Sequence, residues 1–354
     1  MRHEDIPAGV RAGETFDAGK METFIRDCLP GLQGDLEVQQ FPSGYSNLTY
    51  MLKIGDREMV MRRPPFGKKA KTAHDMSREY RILKALHPVF PYVPEPLLYC
   101  DDPEVIGSPF YIMQRLKGVI LRKNIPRGLN LSAEKAAALC ENWVNILVTL
   151  HGLDYKTVGL EDFGKPDGYV HRQFEGWTAR YREAHTDDAP DFEKVMQWLH
   201  DRLPADAPVA GVVHNDYKFD NVVLDPDDPS NIIGVLDWEM ATIGDPLMDL
   251  GASLAYWVNA ADPEEVQLIR TLPTVAPGMF TREQLVAHYL DRTGLALSSF
   301  DFYLCFGLFR LAVIAQQIYY RFYHGQTRDE RFGMLIAAVQ ILERAALKII
   351  REGM

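Results

Sequence analysis

The chain has 354 residues, 47% of them hydrophobic and 25% charged, which are ordinary globular values and leave room for two lobes with a large combined core. Its 38 Lys and Arg stand against 49 Asp and Glu, and a net charge of −11 speaks against a general binder of nucleic acid or anionic membrane. Four cysteines lie far apart, with no C-x-x-C pair and no zinc spacing, so they read as reduced thiols in a reducing, cytoplasmic compartment.

Residues 1–14 are polar and lack the apolar run that a secretory signal needs. The spacing then predicts an amphipathic helix over 17–29, with Phe24, Ile25 and Cys28 on its apolar face. Strand-like runs follow from Leu36 to Phe41, Leu48 to Ile54 and Glu58 to Arg62, the last two joined by a tight turn at Gly55-Asp56-Arg57. A helix over 72–87 carries Met76, Tyr80, Leu83 and Leu86 on one stripe. A strand at 97–100, a turn at 101–104 and a strand at 110–116 complete a small antiparallel sheet with one long helix packed on it.

Beyond Leu116-Lys117-Gly118 the composition turns helical. Ser132 is placed to cap a helix that runs to His151. Further helices are expected at 169–185, 191–202, 246–258, 263–270, 281–293, 299–323 and 331–351. The most apolar stretch, Phe300 to Tyr320, contains Asp301 and Arg310. A charge at a bilayer centre costs about 3 kcal/mol or more, so a buried helix is the better reading than a membrane span. The division should fall near 114–119, giving a first lobe of 1–116 and a second of 117–354.

Between these helices stands the segment His214-Asn215-Asp216-Tyr217-Lys218-Phe219-Asp220-Asn221, with Asp237 sixteen residues after Asn221. Gly211-Val212-Val213 reads as a short buried strand running into it. Asn221 to Leu224 and Ile232 to Leu236 read as a hairpin with a polar, Pro-bearing turn. Such a hairpin brings Asn221, at the start of one strand, near Asp237 at the end of the other. The order and spacing are those of a kinase catalytic loop and its metal-binding aspartate. Asp216 is the candidate catalytic base, and Asn221 and Asp237 are candidate ligands for Mg²⁺, which prefers oxygen donors. His214 reads as a structural hydrogen-bonder. Lys218 reads either as a γ-phosphate contact or as an exposed side chain.

His214 to Asp237, continuing into Gly244-Asp245-Pro246-Leu247-Met248-Asp249-Leu250, resembles the aminoglycoside phosphotransferase superfamily. Gly44 to Tyr50, Val60 to Pro65 and Ser77-Arg78-Glu79-Tyr80-Arg81 look most like the kinase domain associated with acyl-CoA dehydrogenases. The resemblance implies an α+β, two-lobed, protein-kinase-like fold: a small antiparallel-sheet lobe for ATP and a larger, mainly helical lobe for catalysis and acceptor. It places Arg62 where the superfamily usually has a lysine, with Glu79 as its partner. Alternation along the strand puts Arg63 on the opposite face, as the fallback. Ser46 and Asn47 fall on the phosphate loop, and Met113 and Gln114 on the connector that meets adenine. Asp249 is implied to brace the catalytic loop through its backbone.

The expected activity is thus Mg²⁺-dependent transfer of the ATP γ-phosphate to a hydroxyl of a small molecule. A hydroxyacyl-CoA is the first acceptor to consider, and an aminoglycoside or choline-like alcohol the alternative. A CoA acceptor asks for basic residues, and Arg115, Lys117, Arg122, Lys123 and Arg127 lie just past the connector. Tyr256, Trp257, Tyr303, Arg310 and Tyr320 are available to line an acceptor site. The absent lysine also admits a nucleotide-binding pseudokinase without turnover. The reading requires neither nucleic acid nor membrane and allows a homodimer.

Overall fold

The computed structural model of the chain describes residues 6–42, 47–65, 75–205 and 209–354. The chain divides into two compact units, residues 1–120 with 222–241, and residues 121–221 with 242–354. The single cut expected near 116 is therefore an interleaved division, in which a downstream hairpin returns to the first unit. Backbone bonds hold it there. Val119 and Leu224 exchange N–H···O bonds of 2.9 and 2.8 Å, and the Val235 N–H donates to the Tyr92 carbonyl at 2.6 Å.

The first unit opens with α1 (Ala18–Cys28), whose first turn is capped by the Asp17 carboxylate. Then come β1 (Leu36–Gln40), β2 (Leu48–Ile54), β3 (Arg57–Arg63), α2 (Met76–Leu86), β4 (Pro96–Cys100), the single turn α3 (Pro103–Ile106) and β5 (Phe110–Gln114). The five strands form one antiparallel sheet in the order β1-β2-β3-β5-β4. Strand alternation sorts its two faces. Leu48, Tyr50, Leu52, Ile54, Met59, Met61, Phe110 and Ile112 make an apolar core with Met21 and Ile25 of α1. The other face carries Arg62 and Tyr111, and Tyr80 of α2 stacks against Tyr99 and meets Tyr111. Two details differ from the sequence reading. Cys28 is exposed rather than on the apolar face of α1. The expected turn at 101–104 includes the start of α3, because the Asp102 carboxylate caps a helical turn there. Residues 72–74 of the helix expected over 72–87 lie outside the described residues.

The second unit contains α4 (Ala133–His151), α5 (Tyr169–Glu183), α6 (Glu193–Asp201) and β6 (Gly211–Val213). The chain then passes through β7 (Val222–Leu224) and β8 (Ile232–Val235), the antiparallel hairpin of the first unit, with Val222 opposite Val235. It re-enters the second unit at β9 (Thr242–Gly244), which pairs with β6, and continues as α7 (Pro246–Leu254), α8 (Glu264–Leu268), α9 (Arg282–Thr293), α10 (Asp301–Tyr323) and α11 (Leu335–Glu352). Ser132 caps α4 and Asp245 caps α7, as the sequence indicates. By length and composition α10 could cross a bilayer, yet 78% of its apolar window is buried within the protein. It crosses α7 closely. A Cβ at Gly307 would lie 2.2 Å from the Gly251 carbonyl oxygen, and one at Gly251 would lie 2.3 Å from that of Tyr303.

Candidate active-site residues

In the first unit, β3 delivers Arg62 to the face of the sheet beneath α2. The residue is only 7% exposed, and Glu79 from α2 only 1%. Arg62 donates to Glu79 through Nη1 and to Asp237 Oδ1 through Nη2, the latter at 2.9 Å. Glu239 lies 3.9 Å from the same guanidinium and accepts a 2.8 Å bond from the Asn47 side-chain amide. One planar cation thus serves three carboxylates, which suits an Arg fork better than a Lys point charge. Burial works against the Arg62 charge, but Glu79 and Asp237 outweigh it and hold its pKa well above the ordinary arginine value. Burial is also the largest influence on Glu79 and pushes its carboxyl up to about 7. Arg62 pulls against this shift, while Asp237 and Glu239 add to it.

Arg63, the fallback cation, is buried on the other face and donates to the Ile106 carbonyl at 3.3 Å. Asp237 has φ 65° and ψ 65°, a left-handed backbone that few residues other than glycine adopt. Behind it Trp238 is buried, its indole N–H donating to the Val235 carbonyl at 2.9 Å. Glu239 was not singled out by the sequence, although its place two residues after Asp237 was a visible signal.

Met113 lies buried on β5 opposite Val60, and Gln114 ends the strand. The Gln114 N–H donates to the Glu95 carbonyl at 2.8 Å, so any adenine contact there needs other backbone groups. Ser46 lies outside the described residues, and Asn47 is the first described residue after that gap.

In the second unit, β6 leads into the loop that carries Asp216. The Asp216 carboxylate accepts from Lys218 Nζ at 2.7 and 2.8 Å. The Asn221 side-chain amide donates to the same carboxylate and to the Asp216 carbonyl, both at 2.8 Å. Of the two readings of Lys218, full exposure is excluded: it is partly buried, paired to Asp216, and lies 4.7 Å over the Tyr256 ring. Burial works against its ammonium, but Tyr256 and Asp216 outweigh burial and raise its pKa above the usual lysine range. His214 is fully buried and its Nδ1 accepts the Asp216 N–H at 3.2 Å, the structural role expected.

Asp249, buried on α7, fastens the loop. Its two oxygens accept the backbone N–H groups of His214 and Asn215, each at 2.7 Å. Burial opposes the ionised form, but the bonds from the His151 side chain and the His214 amide help to hold its pKa below the ordinary aspartate range. Asn215 itself has φ 62°. Its carbonyl accepts from Arg310 at 2.7 Å, and its side chain accepts from the Tyr169 hydroxyl at 3.2 Å.

Arg310, which the sequence made available to line an acceptor site, lies 5.1 Å over the Trp177 ring and props the loop through its bond to the Asn215 carbonyl. Trp257 is buried, its indole N–H donating to the Phe280 carbonyl at 2.9 Å, and so is structural. Of the basic residues after the connector, Arg115 and Lys117 grip Glu58 at 2.5 and 3.0 Å, and Arg122 lies 3.9 Å from Asp220.

Chains with this arrangement are protein-kinase-like phosphotransferases. The fold matches choline kinase from Cryptosporidium parvum with a TM-score of 0.61 at 13% identity, covering 95% of this chain and 97% of that one. A Ralstonia eutropha protein, provisionally assigned as an aminoglycoside phosphotransferase, matches with a TM-score of 0.81 at 30% identity, covering 96% and 99%. The model of the phosphotransferase enzyme family matches residues 37–279, and the chain belongs to that family. It is 34% identical over 353 residues to acyl-CoA dehydrogenase family member 11 of Rattus norvegicus, covering 95% of this chain and 44% of that protein. It is 35% identical over 320 residues to family member 10 of Mus musculus, covering 90% and 30%. The chain therefore spans less than half the length of these curated relatives. Family membership supports a kinase-type enzyme and implies a nucleotide as phosphoryl source.

Proposed function

We propose that this protein moves the γ-phosphoryl group of ATP to a hydroxyl group of a small molecule of the hydroxyacyl-CoA type. The observation that carries the reading is the Asp216 carboxylate, clamped by Lys218 and Asn221 on a loop fastened to Asp249. A carboxylate held in place on a rigid loop is suited to accept a hydroxyl proton.

By chemical type, the two side chains that the family resemblance assigns to a metal suit Mg²⁺. Asn221 spends its amide hydrogens on Asp216, and its oxygen and the Asp237 carboxylate are hard donors. Among the described residues no group of three His, Cys, Asp or Glu forms a metal cage. Mg²⁺ ordinarily takes one or two protein oxygens and completes its shell with phosphate and water. When bound, the ion neutralises charge on the phosphates. Arg62, kept charged by its carboxylates, is assigned to the same phosphates, with Ser46 and Asn47. Met113 and Gln114 are assigned to the adenine.

The acceptor class rests on the relatives, whose names refer to acyl-CoA chemistry. Incubation with Mg²⁺ and ATP over a panel of hydroxyacyl-CoAs, aminoglycosides and choline, followed by ³¹P NMR, tests it. Wild type should form a phosphate ester on a hydroxyacyl-CoA, and Asp216→Asn should do so about 10²–10⁴-fold more slowly. Transfer to an aminoglycoside or to choline alone would move the acceptor class. Equal inertness of both proteins over the whole panel would leave a nucleotide binder without turnover.

A further inference from the structure

Behind the catalytic loop lies a buried chain of polar groups, of which the sequence motifs include only Asp249. Asp249 has two carboxylate oxygens and accepts three bonds. Two come from the loop amides, and the third partner is His151 Nε2 at 3.1 Å from Oδ2. The other ring nitrogen, Nδ1, lies 2.8 Å from the Tyr289 hydroxyl. His151 ends α4, Asp249 sits in α7 and Tyr289 in α9, so three helices of the second unit contribute one member each. All three side chains are buried, which puts them out of reach as proton carriers to a substrate.

Donor and acceptor logic fixes the direction of the chain. The Asp249 carboxylate takes two N–H groups already and acts as an acceptor only. His151 Nε2 must then carry the hydrogen and donate it. In the neutral imidazole Nδ1 then keeps a lone pair, which the Tyr289 O–H satisfies. With the opposite tautomer a lone pair would face a carboxylate in a low-dielectric interior, which is strongly unfavourable. The backbone is closely packed at the same point. A Cβ at Gly211, where β6 begins, would lie 2.5 Å from the His151 carbonyl oxygen, so only glycine lets the strand that feeds the loop pass there.

We infer that His151 and Tyr289 are positioning residues for the phosphoryl transfer: Tyr289 holds the His151 ring through Nδ1, His151 orients the Asp249 carboxylate, and Asp249 holds the backbone that carries Asp216. Only the kinetic arm of the test rests on the proposed function. The structural arm does not.

The variants are Tyr289→Phe, His151→Gln and His151→Leu. Gln can place an amide N–H near the original Nε2 position, whereas Leu offers no donor. Hydrogen–deuterium exchange of the peptide spanning 212–218 reads the loop directly. Exchange there should quicken about tenfold in Tyr289→Phe and His151→Leu, the loss of roughly one buried hydrogen bond, and stay near wild type in His151→Gln. In ¹⁵N NMR of the wild type, His151 should show a protonated Nε2 and an unprotonated Nδ1. With water as acceptor, the kcat for ATP hydrolysis should fall by a similar factor in the first two variants. The KM for ATP should move less than about twofold, and His151→Gln should restore kcat. A protonated Nδ1, or a loop equally protected in Tyr289→Phe and His151→Leu, would overturn the inference. So would KM rising in step with the fall in kcat. If the wild type hydrolyses no ATP, the exchange and NMR results decide alone, and the failure belongs to the proposed function.

Discussion

Arg62 holds the first unit's polar cluster together, and its removal should show what burial costs. Arg62→Ala leaves Glu79 buried with its main counter-charge gone, a change expected to cost about 3–5 kcal/mol, measurable as a lowered midpoint in urea. Arg62→Lys keeps the charge but not the fork, so it cannot serve Glu79 and Asp237 with the same geometry and should weaken nucleotide binding more than stability. The raised pKa of Glu79 has a pH signature. An ordinary glutamate titrates near 4.5, and this one near 7. Between those values the folded protein keeps a proton that the unfolded chain has released, so metal-free stability should fall as pH rises through that window. Glu79→Gln should flatten the slope, and an unchanged slope would assign the dependence to another group. Asp216, Asn221 and Asp237 could be named as candidates from the sequence because their spacing is local and chemically specific. The contacts of Glu239 with Asn47 and of His151 with Tyr289 were not legible there, since the partners lie 192 and 138 residues apart. Sequence periodicity carries no record of such meetings.

At the scale of elements, the crossing of α7 and α10 depends on two glycines with carbonyl oxygens directly against them. Gly307→Ala would force the helices apart and should cost about 1–3 kcal/mol in chemical denaturation, while an alanine at an exposed helix position should be nearly neutral. α7 bears Asp249, so the same substitution should also loosen the catalytic loop. Long elements were readable from the chain alone: α10 was expected at 299–323 and spans Asp301–Tyr323, and β2 was expected and found at Leu48–Ile54. Caps at Ser132 and Asp245 explain the accuracy of the expected starts of α4 and α7. The strand β9 and the short turn at Trp238–Met240 were missed, because three residues are too few to show a period. The expected helix over 246–258 stops at Leu254, four residues early.

For the whole molecule, a ligand that binds only the folded state must stabilise it. If nucleotide and Mg²⁺ bind as proposed, ATP at a hundredfold excess over its Kd should add about 2.7 kcal/mol, seen as a rise in the unfolding temperature. Asp237→Asn should lose the part of that rise that depends on Mg²⁺ while keeping a smaller Mg²⁺-independent part. A rise that ignores Mg²⁺ in wild type would remove Asp237 and Asn221 from the metal assignment. The interleaving of the two units also bears on how the protein is made. The chain leaves the first unit at Ile120 and returns at Val222, and the hairpin is complete only at Ala241. At about 5–20 residues per second, a ribosome needs roughly 6–24 s to supply that stretch. Throughout that wait the backbone groups of Tyr92 and Val119 lack the partners that Val235 and Leu224 will bring. The length of the intervening insert, more than the strength of the sheet, therefore sets how long a newborn first unit stays unfinished.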